Sequence, residues 1–470
     1  MKKNDIVTAV IENIGSNCEG IVKVDGIVCF VPFSLIGEKV VFKVLKVKKN
    51  IAFCKLLDVL TPSDDRVRPL CPIFTKCGGC QMQHLKVKNQ LKFKSNIIKD
   101  CFKKIAGLDV LIEPPIKNEN EYFYRNKIQL PVRETENGNV IGFFRENSHR
   151  IIETDKCYIQ EPFSENLINA FKIFIKKSEI SCYNELTNKG LLKHIVARNV
   201  CGKLLIVVVI NGSEFPYKNL LIEILSSYFK EFSLILNENT LNNNVILGEK
   251  FTVIYGDGVY YFEELGLKYP VYPQSFIQVN NYIKNKLYSC VLKLLNLDEN
   301  TTVIDAYSGA GVMTALFSKH CKKAIGIEIV KEAVKCADEL KIANNLTDKM
   351  FNYCSPCEDI LPNIIEKERA ESNNISVVLD PPRKGCDNKV LSAILKSMPN
   401  KIVYIACSPQ SLARDVGILM GSLKWVDGEL KKVNVDNYNY KIEKVIPFDM
   451  FTHTKHIETV VCLTRVNHNI

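Results

Sequence analysis

Thr302-Val303-Ile304-Asp305-Ala306-Tyr307-Ser308-Gly309-Ala310-Gly311-Val312 decides the fold. It opens as a short β-branched run of the kind that forms a buried parallel strand and closes as a glycine turn, after which Met313 to His320 reads as a helix. Glycines between a strand and a helix let a ligand approach the backbone at the helix N-terminus. Ala324-Ile325-Gly326-Ile327-Glu328 supplies a second strand whose terminal carboxylate lies about 20 residues on, where an acid can accept both ribose hydroxyls of a bound adenosine. Thr314 stands where a dinucleotide fingerprint has its third glycine, which favours S-adenosylmethionine, a ligand without a pyrophosphate, over NAD.

Strand and helix patterns alternate from Val271 onward, so residues 271–470 are read as a Rossmann-like α/β domain. Val377-Val378-Leu379-Asp380-Pro381-Pro382-Arg383 ends another strand in a carboxylate and a rigid double proline; in nucleic-acid methyltransferases this pattern lines the slot between a methyl donor and a target base. Ile402 to Ala406 is a further buried-strand run that Ser408-Pro409 stops, so Cys407 sits at a strand's carboxyl end, where such sheets bind ligands. The alternative for Cys407 is a small buried hydrophobe. Glu458 interrupts the apolar run Ile457, Val460, Val461, a costly position for a carboxylate unless it is paired or functional; burial would raise its pKa toward general-base duty. His453 and His456 read as surface residues rather than metal ligands.

Toward the N-terminus, Cys71, Cys77 and Cys80 form C-x5-C-x2-C with paired glycines that would let the backbone wrap a metal centre. A fourth thiol could be Cys101, in a helix expected from about Leu85 to Ile105, or Cys157. Zinc held by Cys77, Cys80, Cys354 and Cys357 is one alternative and metal-free structural cysteines another. These cysteines belong to a central α+β region, residues 61–270, whose expected helix at about 85–107 can pack on the catalytic domain. The same region carries Tyr122-Phe123-Tyr124-Arg125 and Gly142-Phe143-Phe144-Arg145, which can stack bases and hold phosphates or be ordinary strand ends. Residues 1–60 alternate short β-branched runs with glycine, the pattern of a small closed barrel.

Residues 1–110 hold 19 Lys and Arg against 10 Asp and Glu, nearly all of the net +10, so the basic front end looks like a footprint for a polyanion. No apolar run is long enough to span a membrane, and the charged Met1-Lys2-Lys3-Asn4-Asp5 lacks a following apolar segment, so a cytoplasmic protein is expected, a monomer whose scattered cysteines are mostly reduced core residues.

Taken in order, C-x5-C-x2-C with a distant Cys157, D-A-Y-S-G-A-G, D-P-P-R-K-G, C-x-P-x-x-L-A-R-D and H-T-x-H-I-E-T-V behind a TRAM-like, OB-like barrel resemble the RNA uracil-5 methyltransferases, specifically the iron–sulfur branch that modifies 23S ribosomal RNA. The resemblance covers essentially the whole chain. It implies a 4Fe-4S cluster on Cys71, Cys77, Cys80 and Cys157, S-adenosylmethionine held by Gln278, Tyr307, Glu328 and Asp380, Cys407 as nucleophile and Glu458 as base. A thiolate adding at carbon 6 of uracil makes carbon 5 nucleophilic, and a base must then remove the carbon-5 proton. The turn after Cys407, opening a helix, is expected to depress the thiol's pKa. Ser308 and Ser408 depart from the family's common Cys and Asn. The rivals are a uracil methyltransferase acting on tRNA, a radical methylthiotransferase, whose cysteines are spaced C-x3-C-x2-C, and a non-catalytic RNA-binding or ribosome-assembly protein.

Overall fold

The computed structural model describes residues 1–136, 138–371, 374–433 and 438–466. Strands β1 (Ile6–Val10), β2 (Asn13–Ile14), β3 (Glu19–Val24), β4 (Ile27–Pro32), β5 (Lys39–Lys48) and β6 (Ile51–Thr61) form one sheet in the order β1-β5-β6-β4-β3-β2. Its two edge strands are consecutive in the chain, so the sheet curls back on itself as a barrel. Alternation does the sorting: Val40, Phe42 and Val44 of β5 point into the core with Val22, Cys29 and Val31, while Lys39, Lys46 and Lys48 stay in water.

Helix α1 (Val87–Cys101) continues into a wider turn, Phe102–Ala106, that ends at Gly107 in the left-handed region. Although it precedes the central sheet in sequence, it buries Ile98, Phe102 and Ala106 in the core of the last domain. Gly417 makes this approach possible, since a β-carbon there would stand 2.9 Å from that of Ala106.

The central sheet comprises β7 (Lys127–Thr135), β8 (Gly138–Phe144), β9 (Ile151–Glu153), β10 (Leu192–Val200), β11 (Lys203–Ile210), β12 (Phe232–Glu238) and β13 (Lys250–Tyr255), ordered β13-β12-β11-β10-β7-β8-β9. Helices α2 (Phe163–Ser178) and α3 (Lys218–Tyr228) cover one face. The other face packs through the hairpin β14 (Tyr260–Glu264) and β15 (Leu267–Val271) onto the C-terminal half.

That half follows helix α4 (Asn281–Leu295) with strands β16 (Thr301–Ala306), β17 (Lys323–Glu328), β18 (Met350–Cys354), β19 (Asn374–Leu379) and β20 (Lys401–Ala406), interleaved with α5 (Val312–Ser318), α6 (Lys331–Ala343), α7 (Cys357–Glu371), α8 (Asn388–Ser397) and α9 (Pro409–Met420). A small hairpin, β21 (Leu423–Val426) and β22 (Glu429–Lys432), precedes β23 (Tyr440–Phe448) and β24 (Glu458–Arg465). The sheet order is β18-β17-β16-β19-β20-β24-β23, parallel as far as β20, with β24 inserted antiparallel between β20 and β23. The chain leaves β16 toward one side and returns on the other at β19, so a crevice opens at the carboxyl ends of those two strands. Among the described residues no helix is long and apolar enough to cross a membrane.

Candidate active site

Above that crevice lies a cavity of about 780 Å³, and Gln278, Tyr307, Glu328, Asp380, Cys407 and Glu458 all line it. Its floor is the glycine turn. A β-carbon on Gly309 would meet no atom within 4 Å, so the backbone there stays open to a ligand, and its φ of 55° also suits glycine. Gly311 is required for another reason: at φ 77°, a β-carbon would strike Ala337 and Met350 at 2.6 and 2.9 Å. Glu328 accepts from the backbone N–H groups of Gly309 at 3.0 Å and Val330 at 2.8 Å, which fixes its carboxylate at the rim while leaving lone pairs free.

Beneath the turn, Asp305 is fully buried and accepts from the Thr314 hydroxyl at 2.5 Å. Burial pushes Asp305 up to about 7, with Asp380 and Glu328 adding to the effect and Thr314 opposing it. Thr314 thus occupies the third-glycine position with a working hydroxyl. Burial likewise pushes Asp380 up to about 7.

Strand register brings the thiol and the late carboxylate together. Ala406 is paired with Thr459, so Cys407 leaves β20 where Glu458 opens β24. Glu458 is 5% exposed, and burial pushes it up to about 8; Asp380 raises it further and Arg383 pulls it down. The expected depression of the Cys407 pKa does not occur. Burial, then Glu458, push the thiol up, and the opposing influence is the positive charge of Arg383, which lines the same cavity. The helix end is otherwise engaged, because Ser408 caps α9 with its own hydroxyl, accepting from the Ser411 N–H. Arg383 is the functional side chain that the sequence reading quoted without assigning a role; a cation in the same short motif as Asp380 was the available signal.

The two histidines also depart from expectation. His453 is 2% exposed and its φ is 69°, while His456 is half-buried and lines the large cavity. Burial pushes both rings down to about 4, helped for His456 by Arg383, Lys455, Lys94 and Arg125. Helix α1 is the cause, since it lies over the segment that carries them. Tyr122-Phe123-Tyr124-Arg125 serves the same segment: the Tyr124 hydroxyl donates to Thr452 O at 2.8 Å, and the Tyr122 ring lies 4.3 Å from that of His453. Phe276, at the rim of the large cavity, is 77% exposed.

A second cavity, of about 220 Å³, is lined by Cys71, Cys77, Cys80 and Cys157. Its loop needs glycine, because a β-carbon on Gly78 would meet the Glu146 nitrogen at 2.8 Å; Gly78 donates to Phe144 O at 3.0 Å, and the Gly79 N–H points at Cys77 Sγ, 3.3 Å away. Burial pushes all four thiols up, Cys157 to about 11, and neighbouring thiols add to the rise at Cys77, Cys80 and Cys157. All eighteen cysteines are free. Cys354 is exposed at the end of β18 and Cys357 lines the large cavity, so the zinc arrangement with Cys77 and Cys80 is excluded by position. Cys101 lies on α1 and is not part of the cavity wall. Among the described residues no three His, Cys, Asp or Glu side chains converge as a site for a metal ion.

Comparison with known proteins follows the same lines. The sequence model of the tRNA (uracil-5-)-methyltransferase family matches residues 87–466, and that of the TRAM domain matches residues 2–57. An uncharacterized RNA methyltransferase of Clostridium acetobutylicum is 39% identical over 99% of this chain and 98% of its own, and one of Bacillus cereus is 38% identical over 99% and 98%. The tRNA (uracil-54, C5)-methyltransferase of Pyrococcus abyssi, solved with S-adenosyl-L-homocysteine, superposes with a TM-score of 0.74 at 25% identity, over 97% of this chain and 100% of that one.

Proposed function

This chain belongs to the RNA (uracil-5-)-methyltransferase family, and from that premise we propose that it methylates carbon 5 of a uridine in 23S ribosomal RNA through a covalent bond between Cys407 and carbon 6. The observation that carries the reading is the meeting of Cys407 and Glu458 at adjoining strand ends, in the cavity that Gln278, Tyr307, Glu328 and Asp380 also line. S-adenosylmethionine, bound there, supplies an electrophilic methyl group; the open backbone at Gly309 and the carboxylate of Glu328 suit its adenosine.

Cys407 adds to carbon 6 as the thiolate. Arg383 favours that ionisation against the cost of burial, and its guanidinium can follow the charge as it moves from sulfur to the ring. Carbon 5, now nucleophilic, would take the methyl group as the donor's sulfur–methyl bond breaks, its electron pair staying on sulfur and S-adenosylhomocysteine being the leaving group. Glu458 then accepts the carbon-5 proton, the ring double bond re-forms, and the carbon–sulfur bond breaks with its electron pair returning to Cys407. A carboxylate with its pKa near 8 is a far better base than one near 4. The target uridine must leave its stack to reach the cavity, and exposed Phe276 offers a ring for it to rest on. The TRAM barrel, with Lys39, Lys46 and Lys48 outward, contributes phosphate contacts to the flanking RNA.

Cys71, Cys77, Cys80 and Cys157 would hold a 4Fe-4S cluster. The support for this reading is that four free thiols line one cavity, the donor set that such a centre takes. A cluster would supply the positive charge that lets these buried sulfurs ionise, and would join the 71–80 loop to Cys157; no step of the transfer passes through it. The protein is read as a cytoplasmic monomer.

Transfer RNA is the second reading, favoured by the substrate named for the Pyrococcus abyssi enzyme. Mapping 5-methyluridine in ribosomal and transfer RNA from cells with and without this protein tests both. Loss of a 23S mark supports the proposal, loss confined to transfer RNA replaces it, and intact marks in both refute it. Unchanged activity in Cys407→Ala would refute the covalent route.

A further inference from the structure

We infer that Gln90 is a positioning residue for the catalytic carboxylate, tying the cysteine-bearing loop to the segment that delivers Glu458; the inference rests on the roles proposed for Cys407 and Glu458. Gln90 is fully buried on α1. Its Nε2 donates to Met82 O at 3.0 Å and Leu85 O at 2.7 Å and lies 3.1 Å from His453 Nδ1, while its Oε1 accepts from the His453 N–H at 3.0 Å. Only a primary amide presents donors and an acceptor in this way. The His453 carbonyl is held from the same side, accepting from the N–H groups of Gln81 at 3.0 Å and Met82 at 2.9 Å, directly after Cys80. Gln81 continues the grip: its Oε1 accepts from the Lys455 N–H at 3.3 Å and its Nε2 donates to Gly78 O at 2.9 Å. One turn along α1, buried Lys94 pairs with buried Asp449 at 2.6 Å and donates to Phe451 O at 3.1 Å.

His453 therefore has its N–H and its carbonyl committed to residues 81–90 with its ring against the Gln90 amide, and it holds a left-handed backbone that a residue with a β-carbon adopts only when its surroundings over-determine it. A short stretch of chain then leads to His456 and Glu458 in the cavity. This clamp bears on one half of the reaction. Addition of the thiol and transfer of the methyl group depend on Cys407 and the opposite wall, whereas removal of the carbon-5 proton depends on where Glu458 stands. Loosening His453 should leave the methylated adduct waiting for its base.

The test uses full-length protein and unmodified target RNA carrying tritium at carbon 5 of uridine. First-turnover methyl incorporation, tritium release to water and adduct stable on a denaturing gel are compared for wild type, Glu458→Gln and the near-isosteric Gln90→Met. The expected result for Gln90→Met is methyl transfer near wild type, tritium release slowed roughly tenfold to a hundredfold, and adduct accumulating. Should Gln90→Met not fold, Gln81→Met is expected to show the same split, more weakly. Equal loss of both rates, or wild-type release, in the folded variant while Glu458→Gln accumulates adduct overturns the inference and leaves the proposed mechanism standing. Absence of adduct in Glu458→Gln removes the base role itself, and the inference with it.

Discussion

The two cavities of this protein both hold buried thiols, and they solve the cost of ionising sulfur differently. In the large cavity Cys407 has a cation within the fold, since the charge of Arg383 opposes the upward push of burial and of Glu458. In the small one, Cys77, Cys80 and Cys157 are each pushed up by burial and then further by other thiols of the group. A sulfur meant to form and break a bond in every cycle needs a partner that permits both charge states. A set of sulfurs that acquires its charge balance once, from a bound centre, needs only to be gathered and sheltered.

The strongest way to break this contrast is to remove the reactive sulfur. Cys407→Ala should lower methyl incorporation by more than about 10⁴-fold and abolish adduct, with iron content unchanged, as read by labelled-methyl assay and metal analysis. Next comes Glu458→Gln, expected to slow turnover about 10²- to 10⁴-fold while adduct accumulates. In the wild type, release of the adduct should quicken as pH rises through about 8, where Glu458 becomes a carboxylate. The stability effect has the opposite sign. A carboxyl raised from 4.5 to about 8 binds more protons folded than unfolded, so its contribution is present at low pH and is lost as pH climbs through about 8. Thermal melts of Glu458→Gln should consequently fall less between pH 5 and 9 than those of wild type.

From the other side, Cys80→Ser should remove the iron signal and lower the melting temperature while Cys407 remains able to form adduct. Gly78→Ala is the gentlest probe. Its β-carbon would press on the Glu146 backbone, costing about 1–3 kcal/mol and weakening iron loading at the small cavity, with adduct formation at the large one retained.

Much of this could be read from the chain. Strand ends announced by Asp380, Cys407 and the glycine turn follow from local periodicity, and the sheet then carries those residues to one edge as a matter of topology. The TRAM barrel was equally legible, because Val40, Phe42 and Val44 alternate with lysines over one strand. What escaped was set by partners far along the chain. His453 and His456 read as surface residues because they stand singly near a strand start; His453 is covered by α1, whose Gln90 is 363 positions away. The charge state of Cys407 escaped likewise. The nearest helix end was visible in the sequence, but Ser408 occupies it, and Arg383 reaches the sulfur from another strand's loop.

The placement of β24 has a consequence for assembly. It is the last of the sheet's strands to be synthesised, yet it is seated between two that come earlier, β20 and β23. Until it threads into that gap, β20 has an open edge and Cys407 stands without Glu458 beside it. The cavity that Cys407 and Glu458 line is thus completed only in the closing stage of folding, and pulse-labelled hydrogen exchange should find β23 and β24 the last strands to become protected.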